Sequence, residues 1–127
     1  MKRSLFFIIT AIIGVLFGAL LFLAPAKGAD GFGVEASPIV VALFRALGAM
    51  ILGMGIMNFL VRNHPASPTL KAVLLTNIFS HGLTMIADIS GVIAGTLQFS
   101  KIAVGQGTHI FIGIGSLIYL LKMEKTS

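Results

Sequence analysis

Along the stretch NIFSHGLTMIAD, an amide, two hydroxyls, an imidazole and a carboxylate (Asn77, Ser80, His81, Thr84 and Asp88) interrupt an otherwise apolar run. On a helix these five side chains fall within an arc of about 100°, and Gly91 and Gly95 continue the same face. A second set follows: Gln106, His109 and Ser116 share one helical face with Gly113, while Arg45 stands alone in an earlier apolar segment. The chemistry such groups offer is proton exchange and anion recognition. Imidazole changes charge near neutral pH, and the planar fork of an arginine suits a carboxylate, a phosphate or a quinone oxygen.

These residues must be positioned by elements that water does not solvate. Of 127 residues, 57% are hydrophobic and 10% charged, and the mean hydropathy is +1.04. Too few polar side chains exist to cover the surface of a small water-soluble domain. Four apolar segments are visible, at 5–23, 38–61, 70–97 and 102–121. Each meets the requirement of about 20 residues for a helix crossing the hydrocarbon core, and none alternates as a membrane β-strand does. The expectation is an all-α, polytopic membrane protein, an antiparallel four-transmembrane-helix bundle forming one domain over 1–127. The start MKR, an apolar run and LAPAKGA also imitate a secretory signal, but the run is longer than the about 7 to 15 residues of a signal core, so an uncleaved first helix is expected.

Basic residues flanking the segments set the orientation. Lys2, Arg3, Arg62, Lys71, Lys122 and Lys125 fall on one side, and Lys27 and Lys101 on the other. Both termini are therefore expected on the cytoplasmic side of a bacterial inner membrane. The net charge of +5 then reads as a topology signal and a contact with lipid headgroups. No basic patch interleaved with aromatics supports a nucleic-acid partner. With no cysteine in the chain, disulfides and thiolate metal sites are excluded. Ser37–Pro38 and Ser67–Pro68 have the form of a helix cap followed by a first-turn proline. The outer connection APAKGADGFGVEAS reads as a glycine-rich loop, and the one around QFSK as a tight turn. Gly14 with Gly18, and Gly91 with Gly95, mark faces that another helix can approach closely, which points to a homo-oligomer.

The segments LFLAP and FGV, followed by LFRALGAMILGMGIMNFLVR, resemble the small four-helix bacterial inner-membrane proteins of the DoxX-like kind. The likeness covers the first half of the chain in pattern and the second half in layout. It implies the four-helix architecture and, through the association of some such proteins with quinone-linked oxidoreductases, a redox-linked alternative. It carries over no site residue. Small multidrug transporters need a glutamate in the first helix, where this chain has nothing more polar than Thr10. Vitamin K epoxide reductase-like proteins need a cysteine pair. Neither HExxH nor GxSxG is present for a membrane protease.

A charge in mid-bilayer is costly and should face a partner. Counted from their helix ends, Arg45 and Asp88 share a depth to within about 3 Å, and His109 reaches the same layer. The candidate ligand-binding set is therefore Arg45, Asp88, His109 and Gln106, continued by Thr84, His81 and Asn77. The set suits a small polar or amphiphilic ligand, bound or transported without catalysis. Quinone contact without any resident cofactor is an alternative. A third reading makes the layer structural, polar side chains serving only as glue between helices. Haem is disfavoured because His81 and His109, measured from a turn near Gln98, differ in depth by about 9 Å. A metal held by two histidines and Asp88 is opposed by Arg45.

Overall fold

The structure is a computed structural model that describes residues 1–124; Lys125, counted above among the basic flanking residues, lies outside the described residues. It contains five helices, α1 (Arg3–Leu23), α2 (Pro25–Gly31), α3 (Pro38–Val61), α4 (Pro68–Ile93) and α5 (Phe99–Glu124), and no strand among the described residues. All except α2 are long and apolar enough to span a membrane. At about 1.5 Å per residue, even the 21 residues of α1 match the about 30 Å hydrocarbon core. Leu16, Ile39, Met50, Ile86 and Val104 are among the large apolar side chains left exposed. Water would oppose such a surface and lipid would not.

The chain divides into two compact units, Met1–Arg62 and a second beginning at Asn63. In the first, α1 and α3 run antiparallel, because Gly14 lies against Gly55 and Gly18 against Leu52 and Gly48. The approach is as close as backbones allow. A Cβ built on Gly18 would stand 2.5 Å from the Leu52 amide nitrogen, and one on Gly48 would stand 2.5 Å from that of Phe22. The space beside Gly14 and Gly18 is thus taken by α3 of the same chain, and they offer no reason to invoke a second copy. The connection read as a loop contains α2, with Pro25 at its first position. Two glycines in seven residues hide this helix from propensity; packing supplies it. Gly28 and Ala29 are buried, and the Phe32 ring meets Phe44 at 5.7 Å and Phe17 at 6.3 Å.

The second unit is the α4–α5 hairpin. Ser67 caps α4 by accepting from the Leu70 amide at 3.2 Å, as Ser37 caps α3 by accepting from Val40 at 3.4 Å. Helix α4 ends at Ile93 rather than at Leu97. Gly95 has φ +72°, the Gly95 amide donates to the Val92 carbonyl at 3.0 Å, and the Thr96 amide donates to the Gly91 carbonyl at 2.9 Å. These are the paired bonds of a glycine-terminated helix. Gly91 and Gly95 therefore shape the turn and mark no helix-packing face. Helix α5 starts at Phe99, three residues earlier than the apolar pattern indicates, since Phe99, Ser100 and Lys101 form its first turn.

Candidate functional site

The α4 stripe and the α5 stripe face each other. Antiparallel pairing about the Gly95 turn sets Asp88 against Gln106, and His81 against His109 and Gly113. The Gln106 amide Nε2 donates to Asp88 Oδ2 at 2.6 Å. His109 Nε2 lies 4.0 Å from the same carboxylate oxygen. The other nitrogen of that ring, Nδ1, is 2.7 Å from His81 Nδ1, with the ring centroids 5.0 Å apart. At this distance one imidazole donates and its neighbour accepts. A carboxylate, an imidazole and a second imidazole thus stand in line. The Asp88 and His109 side chains are about one-fifth exposed, so the cluster is reachable but largely withdrawn.

This corrects the depth assigned to the histidines. His81 lies twelve residues before the end of α4 and His109 ten after the start of α5, a difference of about 3 Å rather than 9 Å. Measuring from Gln98 ignored the residues of the turn. Unequal depth therefore does not set the two histidines apart; their Nδ1 atoms lie 2.7 Å from one another. Among the described residues no group of three or more histidine, aspartate or glutamate side chains is placed to hold a metal ion.

Asn77 is fully buried on the same α4 stripe, and Ser116 is fully buried on α5. Thr84 is exposed, and its hydroxyl donates to the Ser80 carbonyl at 2.8 Å; that of Ser80 donates to the Asn77 carbonyl at 3.4 Å. Both hydroxyls are thereby taken up by their own helix. Arg45 belongs to the first unit, on α3, and is exposed. The partners of Asp88 in its own unit come from α5. Ser116 is the residue underweighted in the sequence: it completes the spacing 106, 109, 113, 116 along one face of α5, and that spacing was the available signal. Two buried polar atoms of this seam, Gln106 Oε1 and Ser116 Oγ, have no hydrogen-bond partner among the described residues. No family profile, curated protein or solved structure matches the chain.

Proposed function

We propose that the protein is a multi-pass inner-membrane protein, its four long helices forming one bundle with both termini cytoplasmic, that binds or transports a small polar or amphiphilic molecule without catalysing a reaction. The observation that carries this reading is the chain Gln106–Asp88–His109–His81, set inside a hairpin whose other buried residues, apart from Asn77 and Ser116, are apolar. A charged, hydrogen-bonding cluster within a membrane span is costly and marks substrate or proton pathways more often than it marks packing. Arg45 stays in the ligand set on the sequence argument, as an anion anchor in the middle of an apolar span. Thr84 and Asn77 extend the set along α4. The DoxX-like resemblance favours the same architecture and a quinone as the amphiphile. A homo-oligomer fits the size of the chain but draws nothing from the glycines.

One specific observation favours a structural reading instead. Every polar contact of the cluster joins α4 to α5, which is what interhelical glue does. The two readings part in one experiment: native mass spectrometry of gently extracted protein, with an absorption spectrum. Binding predicts a retained small molecule, of quinone or lipid mass, that is lost from Asp88→Asn and weakened in Arg45→Gln. A ligand-free wild-type protein, or equal retention in Asp88→Asn, leaves the structural reading standing.

Orientation is tested separately. Asp30, Asn63, Gln98 and Glu124 are all exposed, so single cysteines introduced there are accessible to reagent. Those at Asp30 and Gln98 should react with an impermeant maleimide added outside intact cells, and those at Asn63 and Glu124 only after lysis. The reverse pattern would invert the topology.

A further inference from the structure

Two facing stripes run through the middle of the α4–α5 hairpin. On α4 the series is Asn77, His81, Thr84, Asp88; on α5 it is Gln106, His109, Gly113, Ser116. On α4 the stripe covers eleven residues from Asn77 to Asp88, about 16 Å at the helical rise, and buried Leu70, Val73 and Leu74 separate it from the Lys71–Glu124 pair at the rim. Its histidine contact is a poor choice for glue: two imidazoles held Nδ1 to Nδ1 at 2.7 Å form one hydrogen bond, while each keeps a second nitrogen facing elsewhere.

We propose that the α4–α5 seam is a proton path in which His81, His109 and Asp88 pass protons in sequence, which rests on the reading of this polar layer as functional and names the proton as a species it handles. The arrangement supplies the parts. His109 presents Nδ1 to His81 and Nε2 to Asp88, so a proton received at one edge of the ring can leave from the other. A proton taken from water by His81 Nε2 makes that ring an imidazolium. Its Nδ1 proton then crosses 2.7 Å to His109 Nδ1, leaving His81 neutral and His109 charged. His109 releases its Nε2 proton to Asp88 Oδ2, and the carboxylic acid so formed releases a proton to water at the Gly95 end of the hairpin. One proton enters, one leaves, and no electron moves. Exchange with water returns each ring to its starting tautomer.

One step is gated. The 4.0 Å between His109 Nε2 and Asp88 Oδ2 exceeds a hydrogen bond, and the oxygen concerned is the one held by Gln106 at 2.6 Å. A positive charge on His109 draws the carboxylate toward it and away from the amide, so transfer waits on a proton's arrival at that ring. The two unpartnered buried atoms lie on either side of the relay. Gln106 Oε1 and Ser116 Oγ sit three residues before and seven after His109 on one helical face. Buried acceptors are satisfied by protein or by water, and a water at each would extend the relay toward the two ends of the hairpin. The other charged groups of the seam are Lys71 and Glu124, about half exposed at its rim.

The test is proton flux through the full-length protein in vesicles of phosphatidylcholine and phosphatidylglycerol. Pyranine is trapped inside, and the flux is driven by a potassium gradient with valinomycin. Wild-type protein should acidify or alkalinise the lumen well above protein-free vesicles and more slowly in heavy water. His81→Gln, His109→Gln and Asp88→Asn should each reduce the flux on the order of 100-fold, the scale of a positioned proton carrier. Asp88→Glu should retain more flux than Asp88→Asn, and Thr76→Ala, whose hydroxyl bonds only to its own helix at Ala72, should match wild type. Wild-type flux no greater than that of empty vesicles, or unaltered by heavy water, overturns the relay without reference to any variant's folding. Flux without a retained small molecule supports the relay while removing the small-molecule reading. A retained small molecule that Asp88→Asn loses, with no flux, sinks the relay and leaves that reading intact.

Discussion

Gly18→Ala and Gly48→Ala should each destabilise the first unit by about 1 to 3 kcal/mol, and together by clearly less than their sum. The single-variant cost is that of inserting a methyl group where no space exists. A Cβ on Gly18 would stand 2.5 Å from the Leu52 nitrogen and 2.9 Å from the Gly48 carbonyl oxygen, and one on Gly48 would stand 2.8 Å from the Gly18 carbonyl oxygen. Backbone cannot swing aside as a side chain can, so α1 and α3 must move apart along the crossing. Once one methyl has separated them, the second meets less resistance, and neighbouring sites couple for this reason. Gly53→Ala in the same helix meets nothing within 4 Å and should be neutral or gain slightly from helix propensity, by up to about 1 kcal/mol. Unfolding in mixed micelles by titration with a denaturing detergent measures all four proteins. Additive losses at Gly18 and Gly48 would mean that the two glycines do not share one contact.

The same glycines show what could be read from the sequence and what could not. Apolar length and the serine–proline caps locate all four long helices, because both signals are local: α3 begins at Pro38 and ends at Val61, as the residues indicate. The partner of a small-residue face is not local. Gly14 and Gly18 announce a close neighbour without naming it, and the neighbour turns out to be α3 of the same chain. Helix α2 was hidden because two of its seven residues are glycines, and it is held in place by packing against the side chains of Leu21 and Phe44. In the second unit, the polar stripes were legible from their spacing alone. The pairing between them depended on where the turn falls. An apolar run continuing through Leu97 puts that turn too late, whereas the positive φ of Gly95 and the bonds to the Gly91 carbonyl put it several residues earlier. That shift brings His81 level with His109, and gives Asp88 an amide and an imidazole in its own hairpin.

Gln106→Leu should cost about 3 kcal/mol or more of second-unit stability, and adding Asp88→Leu should restore most of it. The hydrogen bond from Gln106 to Asp88, at 2.6 Å, is one to a charged acceptor, worth about 1.5 to 3 kcal/mol. Its loss does more than subtract that amount. Asp88 is left with His109 at 4.0 Å, beyond hydrogen-bond distance, and an under-bonded carboxylate in a membrane span carries its full desolvation cost. Replacing both partners removes the need together with the bond. Leucine at 88 and 106 would pair with itself across the seam, and buried polar pairs exchanged for hydrophobic residues of similar volume are often as stable or more so. The measurement is a double-mutant cycle by the same detergent titration, completed with Asp88→Leu alone, which should be the milder single change because an amide lost from one bond is cheaper to bury than a charge. A double variant as unstable as the sum of its singles would mean that Gln106 and Asp88 are not partners. If the cycle closes as expected, stability does not explain why the chain keeps an acid in α4, since an apolar pair would hold the hairpin at least as well. The carboxylate is then retained for what leucine lacks, a charge and an acceptor that can hold a ligand or take a proton from His109 and give it up again.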